Sequence, residues 1–207
     1  MDIHWGLSNK KRKLDSNSNT IKDKYDELIY SIDNEIYFTG SINKNTIAVI
    51  IKKITEIIND KKDEHFDEEK KLSICYIVDS PGGCVTSVLK FVDFLNIIRS
   101  KYNYIEFISI GTGLIASAGT IMCAVADKRY ITSNSYAMIH ELSSGNIGKF
   151  THLVSHTKYL QQMHDKLVDI YLTKSKMEKD EIEKLLKNES WFNANEYLEK
   201  GLVDEIK

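Results

Sequence analysis

The run Gly111-Thr-Gly-Leu-Ile-Ala-Ser117-Ala-Gly-Thr120 decides how the rest of the chain is read. An apolar, β-branched segment, Ile105 to Ile110, precedes it and reads as a buried strand. The segment after it, Ile121-Met-Cys-Ala-Val-Ala126, has neither Gly nor Pro and reads as a buried helix. Ser117 therefore stands at a strand-to-helix junction among Ala116, Ala118 and Gly119. Small neighbours let another backbone come close. A helix start also offers free amides and a dipole that favours negative charge. These are the surroundings a nucleophilic serine needs, although serine is equally a common helix N-cap.

Two stretches flank this junction with complementary chemistry. Upstream, Leu72 to Val78 reads as a core strand that runs into Asp79-Ser-Pro81-Gly82-Gly83-Cys-Val85, which holds the only proline of the chain. Pro-Gly-Gly fixes one φ and frees the next two, giving a sharp turn with exposed amides. The spacing fits neither GxxxxGK[ST] nor GxGxxG, so a nucleotide site is unsupported. An amide of this turn is suited instead to an oxyanion hole, beside the amide that follows Ser117. Downstream, the β-rich segment from Arg129 to Ile139 leads to His140, 23 positions after Ser117. A histidine there is either a satisfied core residue or a base at the same sheet edge as the serine.

The remaining chain supplies scaffold. Its 207 residues suit a single domain from residue 21 to 207 behind a polar arm over residues 1–20 that includes Lys10-Lys-Arg-Lys13. A net charge of −2 gives no case for nucleic acid or an anionic membrane. No apolar run has the length of a membrane span, and the first residues lack the apolar core of a secretory signal. Cys75, Cys84 and Cys123 lack metal-ligand spacing and read as reduced thiols of a cytoplasmic protein. Ile21 to Ile32 suggests a short helix, Glu35 to Gly40 a strand and turn, and Thr46 to Asn59 an amphipathic helix. Asn59 to Lys71 reads as a charged loop and Val85 to Arg99 as a helix. Phe150 to Leu172 reads as a long helix, with Leu153, Leu160, Met163, Leu167, Ile170 and Tyr171 on one stripe. His152 and His156 lie four residues apart on it, a spacing that suits a metal, but no third ligand accompanies them.

Together, Ser80-Pro-Gly-Gly83, Gly113-Leu-Ile-Ala-Ser-Ala-Gly119 and Met138-Ile-His140 resemble the proteolytic subunit of the Clp protease. Asn34 to Ile42 resembles that family's first strand and turn, and Trp191 to Asp204 its closing segment. The likeness runs in one order from about Tyr25 to Lys207. It implies an α/β fold, the spiral of ββα units shared by Clp peptidases and crotonases, with a protruding handle helix over Phe150 to Leu172. It also implies a serine endopeptidase without metal or organic cofactor. Ser117 would be the nucleophile, His140 the general base, and the amides of Gly83 and Ala118 the oxyanion hole. The implied partners are extended peptides, further copies of the chain in a ring, and an ATP-driven (AAA+) unfoldase. Gly145 and Gly148 fit the turn where such enzymes bind peptide by strand addition.

The chain departs from the family pattern at the third catalytic position. Counting back from Trp191 without gaps puts Leu185 where the family has an aspartate, and leucine cannot orient an imidazole. Glu189 and Asn188 are the nearest replacements, and the Asn-Glu-Ser-Trp191 run resembles phage-type Clp-like proteases, in which capsid maturation is a narrower role. Asp165 and Asp169 are more distant candidates. The family's Asp-Arg-Asp element and the proline after its His-Gln pair are also missing; this chain has His140-Glu-Leu142. Two rival readings remain, a non-catalytic Clp-like structural subunit and a crotonase-type acyl-CoA enzyme.

Overall fold

A computed structural model describes residues 28–63 and 70–207. The arm with its basic run, His4 and His65 lie outside those residues. The described chain folds as a mixed sheet of eight strands with helices packed on it. In order these are β1 (Ile29–Ile32), β2 (Glu35–Thr39), α1 (Lys44–Asp63), β3 (Leu72–Ser80), α2 (Val85–Lys101), β4 (Ile105–Ala116), α3 (Ala118–Ala124), β5 (Lys128–Ile131) and β6 (Tyr136–Ile139). There follow α4 (Phe150–Lys174), α5 (Lys179–Lys187), β7 (Ser190–Asn193), α6 (Ala194–Glu199) and β8 (Glu205–Ile206). Parallel pairing joins β2, β3, β4, β5 and β8, each reached by a crossover.

Hydrophobic period set the two crossover helices. In α1, Ile47, Ile50, Ile54, Ile57 and Ile58 are buried, as the 3/4 spacing predicts. Its start is capped by Asn43, whose side-chain oxygen accepts from the amides of Asn45 (2.9 Å) and Thr46 (3.1 Å). In α2, Val88, Phe91 and Leu95 are fully buried, and the Phe91 ring meets Tyr76 of β3 edge-on at 5.4 Å.

Three expectations need correction. Ile29 to Ile32, expected as the end of a helix, is strand β1, paired antiparallel with β2 through Asp33-Asn34. Leu28, Ile29 and Ile32 have helical spacing, but the hairpin wins because Asp33 takes the positive φ (50°) of a tight turn and Tyr30 stacks on Tyr37 at 4.8 Å. Residues 60 to 63, expected as loop, continue α1. The strand expected to stop at Ile110 runs on to Ala116, so most of the glycine-rich stretch is strand.

That extension carries the architecture. The first half of β4 pairs with β5, Ile108 to Gly111 against Lys128 to Ile131. Its last residues, Leu114 to Ala116, pair with β6, Tyr136 to Met138. The change of partner coincides with a bulge against β3, where the register jumps from Val78↔Gly111 to Ser80↔Ile115. The Asp79 carboxylate accepts from the Leu114 amide at 3.1 Å within that bulge, and Gly113 (φ 56°) lets the backbone pass the carboxylate.

Phe91→Ala is expected to cost about 3–5 kcal/mol, seen as a lower urea midpoint. Ile97→Ala on the same helix, 62% exposed, should shift stability by less than about 0.5 kcal/mol. Equal losses from the two would contradict the packing of α2.

Candidate active site

Ser117 terminates β4 and caps α3 in a conformation that L-residues rarely adopt, φ 53° and ψ −123°. A residue in that region costs of order 1–3 kcal/mol and persists only where its surroundings hold it. Here the Ser117 amide donates to the Met138 carbonyl at 2.8 Å, and the Ser117 carbonyl accepts from the Thr120 amide at 3.0 Å. The first of these bonds ties the serine to β6 two residues before His140, which is half-buried just past the strand end. One sheet edge thus brings together two residues that lie 23 positions apart in sequence.

The Pro-Gly-Gly turn lies directly against this junction. A Cβ added to Gly82 (φ 89°) would stand 2.6 Å from both the Ala116 carbonyl and Ser117 Cβ, and 3.0 Å from the Ala118 nitrogen. Ser80, itself fully buried, holds the turn by accepting from the Gly82 amide at 3.1 Å. On the other side Ile42 grips it, donating to the Gly82 carbonyl and accepting from the Cys84 amide, both at 2.8 Å. Those two bonds take the groups on either side of Gly83. The Gly83 amide itself donates to no backbone carbonyl among the described residues, and neither does the Ala118 amide, the first of α3. Two unengaged donors therefore lie where turn and helix start meet.

The structure separates the candidates for a third member. Leu185 sits in α5 with its side chain against the core, while its carbonyl accepts from Ser190 Oγ at 3.0 Å. Glu189 directly precedes β7. The last pair of the β6–β7 ladder is Ile139↔Ser190, so Glu189 and His140 each adjoin the same end of that ladder. Glu189 is also in the left-handed region, with φ 47°. Asn188 instead caps α5, its side chain donating to the Lys184 carbonyl at 2.6 Å. Asp165 and Asp169 lie on the exposed side of α4, where Asp165 accepts from Gln161 at 2.8 Å. The Nε2 of His156 is 3.0 Å from Ser144 Oγ.

All three thiols are free. Burial pushes Cys75 up to about 11 and Cys123 up to about 12. Burial also acts on Cys84, beside Gly83, but hydrogen bonds from Ser87 and Thr86 outweigh it and hold this thiol below its ordinary value. The sequence reads Cys84 as one reduced thiol among three and gives no sign of its lowered pKa, nor of the roles of Asp79 in the bulge and the Thr120 side chain. An aspartate after an apolar strand and a threonine three residues after a serine gave no distinguishing pattern.

A model of the Clp protease family matches residues 16–207. The chain belongs to that family. Membership places it among Clp-type peptidases, and the α/β architecture described above is the one expected from the resemblance. The chain is similar to the ATP-dependent Clp protease proteolytic subunit 1 of Protochlamydia amoebophila, at 30% identity over 201 residues, covering 94% of this chain and 91% of the other. It is also similar to the protein of that name from Chlamydia trachomatis serovar D, at 28% identity over 177 residues, covering 83% and 84%. No helix of the described residues is long and apolar enough to cross a membrane.

In the folded Clp-family chain, one thiol should react rapidly with an aromatic disulfide reagent. A lowered thiol pKa keeps the thiolate present at lower pH, so the rate midpoint should fall below that of a free cysteine. Cys84→Ala should remove the fast phase and leave Cys75 and Cys123 unreactive until unfolding. A fast phase that survives the substitution would contradict the assignment.

Proposed function

We propose that the chain is a serine endopeptidase with Ser117 as nucleophile and His140 as general base. The observation that carries this reading is the strained backbone of Ser117, held against β6 two residues before the histidine and against the Pro-Gly-Gly turn. A serine hydroxyl is a poor nucleophile near neutral pH until an imidazole accepts its proton. Attack on a peptide carbonyl then creates an oxyanion, which the Gly83 and Ala118 amides receive. The imidazolium passes the proton to the leaving amine, and water, activated by the same base, hydrolyses the acyl-enzyme. Glu189 fits the third role because it and His140 adjoin the same end of the β6–β7 ladder, beside the pair Ile139↔Ser190, which lessens the weight of Leu185 as a departure.

The substrate is an extended peptide, and the working form is an assembly of copies. The first part of α4 and the loop before it support self-association: Ile147 is 99% exposed and Phe150 79% exposed, with Val154 and Tyr159 also outward. A ring enclosing such sites would depend on an ATP-driven unfoldase to admit folded proteins. The Clp-type relatives carry ATP dependence in their names.

A fluorophosphonate probe tests the reading. One adduct is expected on the assembled wild type, with none on Ser117→Ala. Glu189→Gln should slow labelling by about tenfold to 10⁴-fold, the upper figure being the loss seen for a buried triad acid. A folded, assembled protein that takes no adduct would leave a structural subunit as the remaining role.

A further inference from the structure

The junction that holds Ser117 is braced from a distant helix. Thr120 Oγ1 lies 2.6 Å from the Ser117 carbonyl oxygen and 2.6 Å from the hydroxyl of Tyr171 on α4. Thr120 and Tyr171 are both buried, with relative exposures of 0% and 2%. Proton counting fixes the direction of this chain. A carbonyl oxygen carries no proton, so the Thr120 hydroxyl must donate to Ser117. Its single proton is then used, and the Tyr171 phenol must donate to Thr120. Burial pushes the Tyr171 pKa up, so the phenol keeps that proton throughout the working pH range.

The bond ends on a peptide group with two functions. The Ser117 carbonyl and the Ala118 amide are opposite ends of one planar unit. Fixing the oxygen on the core side fixes the N–H on the other side, towards the Pro-Gly-Gly turn. A carbonyl that accepts strong hydrogen bonds also makes the amide of the same peptide a better donor. The backbone at this point has little intrinsic preference for its conformation, since φ is 53°. Among the described residues, the Thr120 amide at 3.0 Å is the only backbone donor to this carbonyl.

We infer that Thr120 and Tyr171 are positioning residues that aim and polarise the Ala118 amide as an oxyanion donor. Neither touches substrate. The inference rests on the serine peptidase reading above and extends it to a buried relay from α4 to the reacting serine. Tyr171 stands at the anchored end of α4, among Met163, Leu167, Val168 and Ile170, all buried. The relay therefore draws its rigidity from the same packing that roots the helix.

Labelling kinetics of the assembled full chain with the fluorophosphonate probe, resolved into reversible affinity and maximal rate, test the relay. Thr120→Val keeps the shape and removes the hydroxyl. Its maximal rate is expected to fall by about tenfold, less than the roughly 10²–10³-fold loss when an oxyanion donor is deleted outright, with affinity unchanged. Tyr171→Phe should give a smaller fall, and Thr120→Ser should restore most of the wild-type rate. In Thr120→Val the Tyr171→Phe change should add nothing, because the relay is already cut. A Thr120→Val protein that labels at the wild-type maximal rate overturns the inference, as does additivity of the two substitutions. Should Thr120→Val fail to fold, Tyr171→Phe decides: a wild-type maximal rate there overturns the relay. Absence of any adduct on the wild type is a different failure, since it removes the serine reading on which the relay stands.

Discussion

A seven-residue helix buried on every residue is the constraint that the structure is arranged to meet. All seven residues Ala118 to Ala124 of α3 are buried. A helix of that length satisfies few of its own groups, since four amides and four carbonyls at its ends lack intrahelical partners. Buried polar groups left without a partner cost about 1–3 kcal/mol each. Side chains from several elements meet the carbonyl end. Tyr76 of β3 donates to Met122 O at 3.0 Å, Ser109 of β4 to Cys123 O at 2.9 Å, and Arg99 of α2 to Val125 O at 2.7 Å. Arg99 is in turn held by Asp127, at 3.0 Å. The core is thus built to absorb one end of α3. At the other end the Ala118 amide stays open, and the chemistry is assigned to that end.

Delivery of the serine to that end depends on β4 changing partner. A straight strand would keep β5 beside it throughout and leave β6 without an edge. The bulge at 112 to 114 ends one ladder and begins the next, so Ala116 arrives level with Met138. Gly111 has its own reason to be glycine, because a Cβ there would collide with Ile115, at 1.8 Å from its Cδ1. The same turn of the backbone stacks Gly82 on Ser117. The site is therefore a consequence of sheet geometry, with loops adding the Pro-Gly-Gly donor.

Much of this was legible in the sequence because it is periodic or local. The isoleucine spacing of α1, the apolar run of β3 and the long stripe of α4 each announce an element. The Pro81-Gly82-Gly83 turn and the small residues around Ser117 announce close backbone approach. What was hidden depended on pairing across the chain. The helical spacing of Leu28, Ile29 and Ile32 gave no warning of a hairpin that needs Asp33 in a left-handed turn and Tyr37 across from Tyr30. That Glu189 directly precedes the residue paired with Ile139 is a matter of the β6–β7 register, which an ungapped count from Trp191 does not contain. Thr120 and Tyr171 are 51 residues apart, and only packing reveals that their hydroxyls meet.

The distribution of backbone strain bears on where the chemistry lies. Three non-glycine residues among those described have positive φ: Asp33, Ser117 and Glu189. Asp33 is explained by its hairpin turn, where aspartate is a favoured residue. The other two are unrelated in sequence, yet both abut the end of β6. Ser117 reaches it through the Met138 carbonyl, and Glu189 by directly preceding Ser190, which pairs with Ile139. Strain of this kind survives only where surrounding contacts over-determine it, and such residues gather at functional sites. Glu189 has a local reason, since it lies in the two-residue turn just past Asn188, the C-cap of α5, where a left-handed residue commonly ends a helix; Ser117 has none, standing directly between a strand and a helix. The strain without a local cause is therefore that of Ser117, and its amide bond to the Met138 carbonyl ties that strain to the segment that carries His140.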